Sequence, residues 1–350
     1  MSWLVFGIAL LASLLLTPSV IRLAGKRKIT ALAHDPGSEE RTVPLLGGIG
    51  IFFAFLISTA LAFLLGRARL LGSFDTHYLG LLAGGIIILG LGLYDDIRGA
   101  KAPLKLIVQA LAAVALLLCG YNVEVLTNPF GGQIQLGFWG WPLVIVWVVA
   151  VTNAFNLLDG LDGLAAGTAA IAGLILFFSS LDGYPFMPTV AIALVGSCLG
   201  FLRYNRYPAR IFLGDTGSLF LGFVLAAVSI QSSFKTTAGI ALALPLIVLL
   251  LPLADLAISF LRRAVRGRNP FRGDRRHLHH KLVAMGFSPK EAVRLFYLLT
   301  INLGLIALVM KFAGRELAAG MLFLVGLIVF LFFKIIEDFR FSIKGRERRE

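Results

Sequence analysis

Charge is scarce in this chain. Asp, Glu, Lys and Arg make up only 15% of its 350 residues, against 58% hydrophobic residues, and the mean hydropathy is +0.88. That balance excludes an ordinary soluble domain and selects a polytopic membrane protein. Cysteine is almost absent: Cys119 and Cys198 both lie in apolar runs, which excludes a disulfide framework or a cysteine-based zinc site. The Walker A motif, the glycine-rich kinase loop and the dinucleotide-binding fingerprint are missing, which disfavours a plain ATP enzyme. Acidic residues are few, 19 against 32 Lys and Arg, for a net charge of +13. A basic surplus can serve nucleic acid. Here it lies in loops between apolar runs, where membrane topology and anionic head groups account for it, so no nucleic-acid partner is expected.

What the chain has in abundance is apolar length. Eleven runs cover roughly 3–21, 46–66, 78–94, 103–120, 139–157, 164–180, 187–202, 213–231, 238–261, 293–311 and 317–336. Most approach the roughly 20 residues that span a bilayer as helix. Helices satisfy their own backbone groups in lipid, and the signal is too strong for a barrel. The fold expected is an all-α polytopic integral membrane protein of about 10–11 transmembrane helices, with residues 1–350 forming one membrane domain. The first run has no basic residue before it and Arg22 after it, which reads as a retained span rather than a cleaved signal peptide.

Of the 32 Lys and Arg, 27 fall in alternate connecting segments that begin with the loop after the first run. The positive-inside rule makes that side cytoplasmic, the N-terminus external and the C-terminus cytoplasmic. Residues 262–292 then form a large cytoplasmic loop, and residues 121–137, with Asn128-Pro129-Phe130-Gly131-Gly132, a small external hairpin.

The few polar groups cluster on the cytoplasmic side. Asp95-Asp96 ends the third run. Two adjacent carboxylates repel, so a cation is expected nearby: Mg²⁺, Lys101 or Lys105. Asn153, Asn156, Asp159 and Asp162 follow at steps of three. That spacing lets Asn153 and Asn156 share a helix face, and Gly160 and Gly163 end the helix before Asp162 would turn away. The alternative is a polar helix cap and loop. Asp215, in Phe212-Leu213-Gly214-Asp215-Thr216-Gly217-Ser218, opens the eighth run, where it either caps a helix or joins a site whose backbone amides add to phosphate binding. Phe212 is placed to stack on a base or to sit at the membrane interface. The loop segment Arg275-Arg276-His277-Leu278-His279-His280 suits a polyanion better than zinc, since no Cys accompanies it. Oxygen donors for Mg²⁺ beside Arg, Lys and His for phosphate fit phosphoryl transfer between a soluble diphosphate and a membrane-embedded phosphate. A transporter would want its ionisable groups near the midplane. A CDP-alcohol phosphotransferase would want Asp-Gly-x-x-Ala-Arg, and the stretch Asp162-Gly163-Leu164-Ala165-Ala166 is not followed by the Arg.

Asp95-Asp96, the Asn-x-x-Asn-x-x-Asp-Gly-x-Asp-Gly run, Phe-Leu-Gly-Asp-Thr-Gly-Ser and His-Leu-His-His, in that order, resemble the polyprenyl-phosphate N-acetylhexosamine-1-phosphate transferases. The resemblance implies an enzyme of the bacterial cytoplasmic (inner) membrane that passes a sugar-1-phosphate from a UDP-N-acetylhexosamine to undecaprenyl phosphate, releases UMP, requires Mg²⁺ with Mn²⁺ as substitute, and contacts membrane lipids. A homodimer is compatible with it. By the same resemblance Asp215 and Asn156 are the metal ligands. Asp95 orients or deprotonates the lipid phosphate beside Asp96, and Asp159, His279 and His280 complete the catalytic group. Lys105, Asn153, Asp162, Phe212, Arg276, His277 and Arg41 bind substrate. The single Leu278 within the histidines, and Pro252-Leu253-Ala254-Asp255 before Arg262-Arg263, resemble the branch that uses UDP-GlcNAc for O-antigen, enterobacterial common antigen or teichoic acid synthesis. The alternative branch uses UDP-N-acetylmuramoyl-pentapeptide. Loop one departs from the family pattern: Arg41 and Leu45 stand where relatives carry a His and a further basic residue.

Overall fold

The computed structural model of the chain describes residues 1–33, 41–67, 76–127, 132–232, 243–265, 267, 277–313 and 316–330. Twelve helices follow in order among them: α1 Ser2–Lys26, α2 Gly47–Arg67, α3 Thr76–Arg98, α4 Ala102–Leu118, α5 Gly140–Leu158, α6 Leu164–Ser179, α7 Met187–Asn205, α8 Gly214–Ser232, α9 Ala243–Val248, α10 Leu250–Val265, α11 Leu278–Ala284 and α12 Pro289–Phe312. A further apolar helix, α13, covers Glu316–Phe330. Seven helices are long and apolar enough to cross a membrane, and α4, α6 and α13 are shorter apolar helices. The chain is an all-α multi-pass membrane protein. Two small antiparallel pairs interrupt it: β1 Thr30–Ala33 with β2 Arg41–Pro44, and β3 Val125–Thr127 with β4 Gln133–Gln135. The second pair falls in the segment 121–137.

Helix α8 is the axis of the bundle. Its spanning window is 89% buried, against 28% for α1 at the periphery, and it packs on α2, α3, α5, α6 and α7. Lipid is as apolar as Leu, so close association in a membrane depends on small residues that let backbones approach. Two crossings show this. A Cβ on Gly222 would lie 2.6 Å from Thr152 Cα of α5, and one on Gly92 of α3 would lie 2.4 Å from Thr216 Cα of α8. The Gly92 crossing brings the carboxylate end of α3 against the first turn of α8.

The apolar run 238–261, expected as one span, is broken. Helix α9 ends at Val248 and α10 starts at Leu250. Pro252 supplies the reason: it has no N–H for the Val248 carbonyl four residues back, and its ring crowds that carbonyl. The helix resumes at Leu250, and its sixteen residues carry Asp255 inward, where it is 5% exposed.

Candidate active site

One end of the bundle gathers the polar groups. The C-terminal ends of α3 and α5, the N-terminus of α8 and the helix α11 surround a cleft of about 720 Å³, lined among others by Asp96, Asp159, Asp162, Phe212, Asp215 and His280.

The carboxylate pair at the end of α3 divides its labour. Asp96 caps α8: its Oδ1 accepts from the Asp215 N–H at 2.8 Å, and its Oδ2 from the Thr216 N–H at 3.0 Å and the Thr216 hydroxyl at 2.5 Å. The first amides of α8 are orphan donors by position, and a carboxylate from a neighbouring helix satisfies them. The amides of Asp215 and Thr216, expected from sequence to serve phosphate, are thus already bonded. Asp95 turns elsewhere. It accepts from the Ala100 N–H and pairs with Lys105, whose ammonium also bonds Asp215 Oδ2. Lys105, predicted to hold the diphosphate, here neutralises two carboxylates that would otherwise repel.

The loop between α5 and α6 carries Asp159 and Asp162. Helix α5 ends at Leu158, with Asp159 as its C-cap, so the early termination expected from Gly160 and Gly163 occurs. Gly163 has φ +79°, a left-handed conformation that favours glycine, and it turns the chain into α6. Three side chains fix the loop. Asn205 Oδ1 accepts from the Gly163 N–H at 3.1 Å while its Nδ2 donates to the Ile211 carbonyl at 2.9 Å. The Tyr297 hydroxyl donates to the Gly163 carbonyl at 2.6 Å, and Asp162 Oδ2 accepts from the Ala209 N–H at 2.8 Å. Burial, and then the carboxylates Asp215, Asp96 and Asp162, push the Asp159 carboxyl well above the ordinary range, against a hydrogen bond from the Gly214 backbone. Sequence reasoning missed Asn205 and Tyr297: an Asn after an apolar run looks like any helix end, and a Tyr in a span looks like any core aromatic.

The histidines stand at the start of α11. His277 Nδ1 lies 3.2 Å from Asp255 Oδ2, and Asp255 Oδ1 accepts from the Leu278 N–H at 3.0 Å. His279 is 1% exposed and its ring nitrogens have no hydrogen-bond partner. Its ring packs so close to Gly160 that a Cβ there would meet Nε2 at 2.1 Å. Burial, and next the neighbouring His280, bring its pKa down to about 3, so it is neutral at physiological pH. His280 lines the cleft.

Other predicted residues lie apart. Asn153 exchanges hydrogen bonds with Gln109 of α4 and donates to the Val149 carbonyl at 2.7 Å. Asn156, one step on, reaches α8 instead, donating to Ser218 Oγ at 3.0 Å. A step of about 300° leaves the two amides 60° apart, enough to face different helices. Arg41 starts β2, opposite Ala33, and is not among the residues lining the cleft. Arg276 lies outside the described residues. Phe212 lines the cleft and is held by its backbone, its N–H donating to the Pro44 carbonyl at 2.9 Å and its carbonyl accepting from the Gly47 N–H at 3.0 Å. Among the described residues no three His, Cys, Asp or Glu side chains close a metal cage. Mg²⁺ commonly takes one or two protein oxygens and completes its shell with substrate phosphates and water. Asp215 lines the cleft and could supply such an oxygen, whereas Asn156 is not among the lining residues and its amide nitrogen is engaged with Ser218.

Residues 78–233, from α3 to the end of α8, match the family model of glycosyl transferase family 4. A Bacillus subtilis protein described as a probable undecaprenyl-phosphate N-acetylglucosaminyl 1-phosphate transferase is 31% identical over 335 residues, 95% of this chain and 90% of its own length. The chain belongs to glycosyl transferase family 4. Within the family it is also similar to a decaprenyl-phosphate N-acetylglucosaminephosphotransferase of Mycobacterium leprae, 33% identical over 300 residues, 79% of this chain and 75% of that one. A phospho-N-acetylmuramoyl-pentapeptide-transferase of Desulforudis audaxviator is 35% identical over 338 residues, 89% of this chain and 97% of that one. The family match contains Asp95, Asp96, the α5–α6 loop and Asp215 but stops short of α11. The likeness to the Bacillus and Desulforudis proteins extends over most of the chain.

Proposed function

We propose that this family member transfers N-acetylglucosamine-1-phosphate from UDP-N-acetylglucosamine to undecaprenyl phosphate at the cytoplasmic face of a bacterial inner membrane, opening the synthesis of a cell-envelope polysaccharide. The observation that carries the reading is the gathering of Asp96, Asp159 and Asp215 from three helix ends around one cleft, with Asp95 tied to Asp215 through Lys105. A diphosphate donor meeting a lipid phosphate brings anion against anion, and positioning with charge neutralisation supplies most of the catalysis.

In this reading an oxygen of the lipid phosphate forms a bond to the sugar-bearing phosphorus while the bond from that phosphorus to the UMP oxygen breaks. Asp95 accepts the proton of the acceptor phosphate or holds its oxygen for attack. Asp215 and Asn156 Oδ1 would hold Mg²⁺, which when bound neutralises the diphosphate and stabilises the departing UMP. Lys105, seated between Asp95 and Asp215, keeps the two carboxylates together before substrate arrives and offers its charge to the transferred phosphoryl group. Phe212 stacks on the uracil, and His280 donates to the diphosphate.

The test is UMP release by the purified protein with undecaprenyl phosphate, Mg²⁺ and a panel of UDP-sugars, repeated in sealed inside-out and right-side-out vesicles. UDP-N-acetylglucosamine should be turned over fastest, and only in inside-out vesicles without detergent. No UMP from any sugar would sink the reading. The second reading is transfer from UDP-N-acetylmuramoyl-pentapeptide, which the 35% identity to the Desulforudis enzyme supports. Faster turnover of that donor would make it the correct one.

A further inference from the structure

Helix α11 is seven residues long, too short to hold itself in water, and yet it sets His280 at the cleft. Its N-cap residue, His277, makes no side-chain cap bond. The support comes from behind, from one carboxylate on another helix. Asp255 of α10 is 5% exposed. Its Oδ1 accepts from the Leu278 N–H at 3.0 Å, the first amide of α11 and an orphan by position. Its Oδ2 stands 3.2 Å from His277 Nδ1. Which atom donates depends on the histidine tautomer, and a carboxylate acceptor requires the Nδ1–H form. From His277 the arrangement continues ring to ring: His279 lies nearly parallel to it at 6.0 Å and 13°, and His280 lies 4.2 Å from His279.

We infer that Asp255 is a positioning residue for the transfer: by holding the His277 Nδ1–H and the Leu278 amide at once, it seats α11 and with it the place of His280 in the cleft. The inference rests on the reaction proposed above for its kinetic consequence, but its structural content is independent of turnover. Asp255 is not among the residues lining the cleft and acts through α11. Asp255 lies in α10, which begins at Leu250 after the break that follows α9.

Asp255→Asn is the discriminating variant. Its amide oxygen still accepts from the Leu278 N–H, so the cap survives, but its nitrogen is a donor and forces His277 Nδ1 to become an acceptor. UMP release should fall about 10- to 100-fold, by analogy with the loss of a carboxylate that orients a metal-ligating histidine, with little change in melting temperature. A merely structural role predicts the same fractional loss in any background. Positioning predicts that Asp255→Asn costs nothing further once His280→Ala has been made. The second readout needs no activity. With ¹⁵N-labelled histidine, the His277 ring should show a protonated Nδ1 in the wild type and an unprotonated Nδ1 in Asp255→Asn. Full turnover in Asp255→Asn, an undiminished loss in the His280→Ala background, or an unprotonated Nδ1 in the wild type would each overturn the inference. Absence of UMP release by the wild type would instead count against the proposed reaction and leave the ring-nitrogen spectrum to decide the role of Asp255. The wild-type spectrum also decides if Asp255→Asn fails to fold.

Discussion

Substitution of Gly92 by Ala should damage the site without touching a polar atom. The added methyl would stand 2.4 Å from Thr216 Cα, 2.6 Å from Thr216 N and 2.7 Å from the Asp215 carbonyl oxygen. All three are backbone atoms, so no side-chain rotation relieves the clash, and ordinary contact of about 3.5–4 Å requires α3 and α8 to part by roughly 1 Å. The bonds from Asp96 to the first turn of α8, now at 2.5 to 3.0 Å, would stretch past the useful limit of about 3.5 Å. Overpacking costs about 1–3 kcal/mol and loss of a cap about 0.5–2 kcal/mol, so a stability loss of about 2–4 kcal/mol is expected. A displacement of about 1 Å between the groups that place substrate costs on the order of 10² in turnover. Gly90 supplies the control. A methyl there meets nothing within 4 Å, and Gly90→Ala should be neutral or stabilising by up to about 1 kcal/mol. Thermal unfolding in detergent and UMP release measure both variants. Wild-type melting and turnover in Gly92→Ala would refute the reasoning, since the helix crossing would then not be what aligns the carboxylates.

Asp215→Asn should lower turnover by on the order of 10² or more, a typical effect of removing a preorganised electrostatic element, with an unchanged elution profile. Titrating Mg²⁺ against UDP-sugar binding separates the carboxylates: Asp215→Asn should lose the wild-type dependence and Asp95→Asn keep it, and the reverse result would assign the metal to Asp95. Asp159→Asn should flatten the pH dependence of stability. The raised pKa of Asp159 means that the folded state binds its proton more tightly than the unfolded state. Stability is therefore highest below the unfolded value of about 3.9 and is lost as pH climbs toward the raised one. The Asn variant should unfold at a higher temperature than the wild type at pH 7 and converge with it near pH 4. Parallel curves would show that Asp159 ionises freely in the fold.

Long-range partnerships account for what the sequence left hidden. Hydropathy marked every apolar helix, because lipid demands about 20 apolar residues and little else does. The break in the run 238–261 was also legible in Pro252, though composition alone reads the run as continuous. A cation beside Asp95 follows from charge repulsion, but the sequence leaves Mg²⁺, Lys101 and Lys105 as candidates and only the structure selects Lys105. The capping of α8 by Asp96 does not follow from the sequence, since 119 positions separate Asp96 from Asp215 and neither neighbourhood points to the other. Asn153 and Asn156 share one motif and one helix but face α4 and α8, a difference that depends on where those helices pack. Asp255 lay in a stretch noted for its resemblance alone, and the histidine it holds is 22 residues away across a loop.

The rim of the cleft near Phe212 is stitched by main-chain groups: Phe212 to Pro44 and Gly47, and Gly48 to the Leu213 carbonyl at 2.9 Å. A seam of this kind is indifferent to the side chains it carries. Leu45 and Phe212 both face the cleft from backbone whose alignment neither of them secures. The side chains at these two positions can therefore be varied while loop one and the entrance to α8 stay in register. The restraint falls on the glycines instead. At Gly48 a Cβ would meet Gly217 N at 2.1 Å, so the seam tolerates no added side chain where the rim does.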